Sequence, residues 1–561
     1  MTNVPAKHVE LTAARSAGEG WKATLARSAS EVFFVRLNAH PRWRFGLVGA
    51  LAILAFAGCQ DTNSSPRTAH VTSATSRAQM NDQNLQYAFD VLRGTEEFQT
   101  AESLGTVVAR LNQWSQQKQP LADWQPEPIL ETLPEDLRSL PAVRSLGDLS
   151  FPPTDGPDLQ QTVWLSAIAE RARGQESQPL AIAQALFDWV IRNEQIEREA
   201  HMPVPHMGRE ILILGRCTAT DRAWIFSLLA RQQGLDVVEL AISDQGPNGE
   251  PRNWLPALLL DGELYLFDTR LGLPIAGSDG KPVATLKDVM ADEKLLRSMD
   301  LDDQRVYPIT ALDLQQVVAL VEASPMYISH RMRLVESELP GKETLVLTAH
   351  PSALAERLKA SPGITAVQAW RHPYERMKSQ MQIDRETQVK AANEFAAFQT
   401  PSTVLWQARV LHLLGTFEGD KGANALYQSV RPSEADIKSY RDKAPEKNRP
   451  RVEFDVAHMQ EAKQAASYWL GLIAFERGNY AAAVDYLQTR TLDAAPEGPW
   501  TAGARYNLAR SLEALGRTDE AIRFYRADLS AQRQGNILRA QHLEAAKKPA
   551  ESAEKDKAPA E

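Results

Sequence analysis

The sequence predicts an α+β chain, with helices packed on an antiparallel sheet and an α-helical repeat region following it. Three observations carry this. Apolar residues recur at helical spacing from Leu180 onward, a run of strand-like segments ends at Asp268, and two segments near the C-terminus are self-similar at a period of 38. With 43% hydrophobic and 24% charged residues, the composition is that of a globular protein, and 561 residues suggest about three domains.

The helical elements come first. In LAIAQALFDWVIRN, the residues Ile182, Leu186, Trp189 and Val190 share one face. The apolar run Ile211–Leu214 follows, and then GRCTATDRAWIFSLLARQQG, where Ala223, Phe226, Leu229 and Ala230 form a stripe. Asp221 near the start of that helix suits its dipole, and Gly234 is the expected C-cap. Two strands come next, LDVVELAI and NWLPALLL, and the Asp261-Gly262 turn joins the second to ELYLFD in a hairpin.

Toward the C-terminus, ASYWLGLIAFERGNYAAAVDYLQ matches ARYNLARSLEALGRTDEAIRFYR. Tyr468 aligns with Tyr506, Leu470 with Leu508, Gly478 with Gly516 and Ala483 with Ala521. The pattern resembles the tetratricopeptide repeat, a helix-turn-helix unit of about 34 residues, with the extra length in DAAPEGPW. Helices within 402–440, including TVLWQARVLHLLG, are expected to complete the stack.

At the other end of the chain, Phe45–Gly58 is an uninterrupted apolar run of 14 residues, shorter than the roughly 20 needed to span a bilayer. Arg36, Arg42 and Arg44 precede it, and Phe56-Ala57-Gly58-Cys59 ends it, as expected of a cleaved signal segment. This resembles the bacterial lipobox, with Phe56 in place of the usual Leu. The resemblance implies lipidation of Cys59, anchorage through that lipid, and a place in the bacterial cell envelope. Gln60 rather than Asp follows the Cys, and resemblance to the sorting rule of enteric bacteria then implies the outer membrane, facing the periplasm. Removing residues 1–58, which carry seven Lys/Arg and three Asp/Glu, moves the net charge from −9 to −13. So acidic a chain does not suit nucleic acid, which normally calls for a basic face.

The helix-strand-hairpin order, with a Cys before the helix and an Asp at the end of the hairpin, resembles the transglutaminase-like family with its papain-like core, over about 176–275. The family's Cys-His-Asp triad maps onto Ala219, Asn253 and Asp268. Asparagine cannot serve as a general base, and alanine carries no thiol. Cys217 lies two residues earlier, about 200° of rotation and roughly 3 Å of rise along a helix start. The resemblance therefore implies a degenerate, non-catalytic domain. In the alternative reading Cys217 is the nucleophile of a cysteine-dependent peptidase, amidase or acyltransferase acting on envelope protein or peptidoglycan peptides, with His201 or His206 as base. The pairs His201-Met202 and His206-Met207 are of a type that suits copper, but a Pro-rich loop with two such pairs does not define a metal site. No cofactor is expected, since Walker A, GxGxxG, HExxH and paired CxxC patterns are all absent from the sequence.

The expected organisation is a signal segment with an N-terminal extension (1–58), a tether (59–80), a helical region (81–175), the transglutaminase-like domain (176–345), a mostly helical connecting region (346–455), the repeats (456–540) and a tail unable to fold alone (541–561). The expected partner is an envelope protein or peptide, held by the repeats or by the groove of the central domain.

Overall fold

A six-stranded sheet forms the centre of the chain, and helices that precede and follow it in sequence cover both of its faces. The computed structural model describes residues 83–94, 101–197, 204–243, 250–339, 345–398 and 403–555. The signal segment, Cys59 and the tether lie outside these, as does His201.

Following a helix over 83–93, helix α1 (Ala101–Ser115) packs on α2 (Asp155–Arg173), which in turn packs on α3 (Pro179–Asn193). A short parallel pair, β1 (Gln195–Ile196) and β2 (Arg216–Cys217), flanks helix α4 (Gly208–Leu214). Helix α5 (Ala219–Gln232) opens with Thr218 as its cap: the Thr218 hydroxyl accepts from the Asp221 N–H at 3.2 Å while Asp221 Oδ2 accepts from the Thr218 N–H at 3.1 Å. This reciprocal pair satisfies two of the N–H groups left open at a helix start. Gly234, at φ +68°, ends the helix as expected.

The main strands are β3 (Asp236–Ile242), β4 (Arg252–Leu260), β5 (Glu263–Asp268), β6 (Leu273–Pro274), β7 (Val317–Val321) and β8 (Ile364–Ala369), in the spatial order β6-β5-β4-β3-β7-β8. Asp261 and Gly262 both have positive φ, at 52° and 81°, as a tight two-residue hairpin turn demands. One expectation needs correction: the sheet is mixed rather than antiparallel, because β7 and β8 run parallel. Strand β8 also falls within 346–455, the region expected to be mostly helical. Its segment ITAVQA is short and only half-buried, so its sequence carries little strand signal.

Alternation along the strands divides the core. Val238, Leu240, Leu255, Ala257, Leu264 and Leu266 face a large cluster completed by Ile129, Leu133, Tyr307 and Leu358. On the other face Phe267 meets Phe187 of α3 and Phe226 of α5, with ring centroids 5.2 and 5.4 Å away. The segment before α2 wraps the first of these faces. Trp124 stacks on His330 at 4.8 Å, and the Leu121 N–H donates to His330 Nε2 at 2.8 Å. Asp155, at the start of α2, is buried and paired with the buried Arg331, whose Nη2 lies 3.0 Å from Oδ1.

Beyond the sheet, α6 (Val404–Leu414) and α7 (Ala423–Ser429) form a helical hairpin that packs on α8 (Arg449–Glu476). Helices α8 and α9 (Tyr480–Leu487) form one antiparallel unit, and α10 (Thr501–Ala514) and α11 (Thr518–Arg526) the next. Gly478 and Gly516 turn the chain at the same φ of +73°. Ala483 and Ala521, the aligned small residues, have no exposed surface. Helix α12 (Arg533–Lys555) closes the series, so the stretch read as an unfolded tail is helical to Lys555. It does not fold alone: Arg526 pairs with Glu544 at 2.8 Å and Arg539 with Glu513 at 2.8 Å. Ala521→Trp should overpack the α10–α11 crossing and cost about 1–3 kcal/mol. Urea unfolding followed by circular dichroism checks this, and an unshifted midpoint would count against a close crossing there.

Residues 383–396 do not belong to the compact unit made of 84–382 and 397–561. They contain the helix Arg385–Glu394, capped by Asp384, whose Oδ1 accepts from the Thr387 N–H at 2.8 Å.

Candidate functional site

Ala219 and Asp268 face different sides of the sheet. Ala219 is the first residue of α5, and its carbonyl accepts from Thr269 Oγ1 at 3.2 Å. Asn253 sits on β4 opposite Ala241, where the β3–β4 register shifts. Asp268 ends β5 facing away from α5. Strand alternation puts it on the side opposite Phe267, where Oδ2 accepts from the Tyr307 hydroxyl at 2.7 Å and Oδ1 from the Leu271 N–H at 2.8 Å. Its donors are thus one backbone N–H and one phenolic hydroxyl. The side chain turned toward Ala219 is that of Thr269, one residue on. Trp254 Nε1 donates to the same Tyr307 hydroxyl at 2.8 Å. Burial raises the Asp268 carboxyl above its usual range, although the Leu271 N–H and Tyr307 pull the other way.

Cys217 lies in β2 with no exposed surface. Burial pushes its thiol well above the ordinary value, and the neighbouring Glu194 adds to the effect. A reactive cysteine needs the opposite surroundings, electropositive and partly open. His206 is buried, with Nδ1 3.7 Å from the Glu210 carboxylate. Among the described residues, no three His, Cys, Asp or Glu side chains are placed to hold a metal ion. Iodoacetamide should therefore label Cys217 in the native chain far more slowly than a free thiol of pKa about 8.5, and at that ordinary rate once urea opens the fold. Mass spectrometry of the labelled peptide measures both rates.

What the structure does bring together is a seam between the sheet domain and the helical repeats. Arg222, fully buried, holds it from the centre. Its Nε donates to the Glu194 carbonyl at 3.0 Å, and its Nη1 donates to the Thr269 carbonyl and to Gln532 Oε1, each at 2.9 Å. The Gln195 amide grips the repeats twice, giving a hydrogen bond to the Pro499 carbonyl at 2.9 Å and taking one from the Gly503 N–H at 2.7 Å. Asn507 donates to the Arg192 carbonyl at 2.9 Å, and Arg510 pairs with Asp188. The approach is close. A Cβ on Gly535 would stand 1.6 Å from the Leu271 carbonyl oxygen, so only glycine fits there.

Glu194 is buried in this seam, and neither carboxylate oxygen has a hydrogen-bond partner. Burial pushes its pKa up to about 7, against the pull of Arg409 and Arg222. A second polar cluster ties α5 to the helix His372–Gln382: Asp221 accepts from Arg376 at 2.9 and 3.0 Å and lies 2.8 Å from His372 Nε2. Apart from Asp221, placed at its helix start by the sequence, these residues carry one signal. Arg222 lies four residues before Phe226, so it places a cation within the apolar stripe of its helix.

The helices at the seam have recognised relatives. Residues 465–489 and 504–527 match the tetratricopeptide repeat. Neither a curated protein nor a solved structure matches the chain. In both tetratricopeptide repeats the first helix, α8 or α10, turns a polar side chain toward α3: Tyr468 and Asn507 both donate to the Arg192 carbonyl. This part of the tetratricopeptide surface is thus filled from within the chain.

An open cleft of about 450 Å³ runs along the outside of the seam. Gln195, Ile196 and Glu197 line one wall, and Pro499, Arg505 and Leu529 lie on the other.

Proposed function

We propose that this chain is a lipid-anchored envelope scaffold that binds a protein or peptide partner, with a non-catalytic transglutaminase-like domain serving as the body on which its tetratricopeptide repeats are mounted. The observation that carries this reading is the seam. Where the resemblance requires a nucleophile there is Ala219, its carbonyl bonded to Thr269, and the nearby Cys217 thiol is buried and held protonated. Tetratricopeptide repeats are protein-interaction modules, and this pair is fixed to the sheet domain by buried polar bonds rather than by a loose linker.

Anchorage rests on the Phe45–Gly58 run and Cys59, and Gln60 favours the outer membrane, facing the periplasm. No helix among the described residues is long and apolar enough to cross a membrane. Under this reading the native protein begins at an acylated Cys59, and mass spectrometry of material extracted from cells would show residues 1–58 removed and lipid added.

Partner binding is tested in cells with a photo-crosslinking amino acid at Leu515, an exposed position just past α10. A discrete adduct supports the scaffold. No adduct from there or from other exposed repeat positions, together with an amide-cleaving activity lost in Cys217→Ser, would replace it with an enzyme.

A further inference from the structure

We propose that the seam cleft binds an extended, basic peptide segment that adds a strand to the free edge of β1. The proposal rests on the scaffold reading and names the class of partner and how it is held.

The argument begins with the ladder. In the parallel pair, the Gln195 N–H donates to the Gly215 carbonyl and the Glu197 N–H to the Cys217 carbonyl, each at 2.8 Å. Alternation along the strand then points the N–H and C=O of Ile196 away from β2. Neither has a hydrogen-bond partner among the described residues. Ile196, 6% exposed, lines the cleft of about 450 Å³, and among the described residues its N–H and C=O are the donor and acceptor of this edge left for an incoming strand. An unpaired strand edge is the template on which extended peptides dock. The edge is also held in place, because the Gln195 side chain is fastened to the Pro499 carbonyl and the Gly503 N–H. A peptide would meet a preformed site and spend little of its binding energy on ordering it.

The walls set the chemistry of the side chains. Glu197, Glu497 and Asp528 line the cleft together with Arg505, so acid outnumbers base in its lining. Arg505 lies 3.6 Å from Asp528, and Arg216 lies 3.6 Å from Glu197. Glu497 has no ion pair among the described residues, which leaves it open to a Lys or Arg of the incoming segment. On the rim, Leu529 is 74% exposed, the most exposed large apolar side chain among the described residues. It offers a seat to an apolar side chain on the peptide.

The test uses the full chain and a fluorescein-labelled octapeptide of alternating Lys and Val, acetylated and amidated, with binding read by fluorescence anisotropy. Ile196→Pro removes the outward N–H, together with the buried Ile196 side chain, and leaves the ladder its N–H groups on either side. Proline is tolerated on an edge strand when its missing N–H faces outward. We expect saturable binding by the wild type, about tenfold weaker binding by Ile196→Pro, and a severalfold loss in Glu497→Lys that shrinks as salt is added. The same peptide N-methylated at alternate residues breaks the main-chain bonds from the ligand's side, and should lose binding even if the proline variant does not fold. Failure of the wild type to bind, equal binding of the N-methylated peptide, or equal binding of an alternating Glu-Val peptide would each overturn the proposal. The two readings separate cleanly. A Leu515 adduct in cells that survives in Ile196→Pro keeps the scaffold and removes strand pairing from that partner, whereas peptide binding in vitro with no adduct in cells does the reverse.

Discussion

Arg331→Ala should destabilise the chain by about 3–5 kcal/mol, the usual cost of leaving one partner of a buried ion pair uncompensated. Arg331 and Asp155 are 2% and 1% exposed, so water cannot replace the lost guanidinium. The same side chain also donates to the Ser145 carbonyl at 3.1 Å, so the substitution strands a second acceptor. Burial already raises the Asp155 carboxyl above its usual range, and only Arg331 opposes it. Without the arginine, Asp155 should take up a proton, which softens the loss as the pH falls. Urea unfolding at neutral pH and at pH near 5 measures both effects. The paired change Asp155→Leu with Arg331→Met removes both charges and should recover most of the loss. A single variant no less stable than wild type would mean that water reaches this pair.

Arg222→Ala is expected to cost about 2–5 kcal/mol by a different route. No carboxylate is bonded to this guanidinium. What it leaves behind are the Glu194 and Thr269 carbonyls and Gln532 Oε1, three acceptors in a dry seam. Arg222→Lys should rescue little, because a single ammonium cannot present the planar fork that reaches three acceptors at once. The damage should be local as well as global. Gln532 would lose its hold on the sheet domain, so protease sensitivity should rise around 528–536 before the sheet itself opens. Limited proteolysis followed by mass spectrometry reads the site of the first cut. Unchanged cleavage there, with unchanged stability, would show that Gln532 does not depend on Arg222.

The parts of this fold that the sequence makes visible are the ones with local signatures. The two repeats announce themselves because the same glycine and the same alanine recur 38 residues apart, and both glycines adopt φ +73°. The β4–β5 hairpin is legible from Asp261-Gly262, since few other dipeptides accept two positive φ angles in succession. Strand β8 was hidden by its shortness and by its parallel neighbour, which comes 43 residues earlier in the chain with helices between. Asp268 was found as a residue but not as a direction. In a strand, one step along the chain reverses the face, and Thr269 rather than Asp268 looks toward Ala219. The seam itself was beyond local reading. Its members are polar residues whose partners across the seam lie more than 300 positions away, and no periodicity encodes such a pairing.

That separation has a consequence in time. Arg222 and Gln532 are 310 residues apart, and Gln195 and Gly503 are 308 apart. At about 5–20 residues per second, a ribosome needs about 15–60 s to follow the one with the other. Until then Arg222 can reach the Glu194 and Thr269 carbonyls, but water stands where Gln532 Oε1 will be. The loop 269–272 likewise waits for Gly535, the residue without a side chain that lets it close. The bonds that unite the two halves of this protein are therefore among the later ones that its synthesis makes available, and a chain cut short before residue 532 leaves Arg222 without its side-chain acceptor in the C-terminal segment.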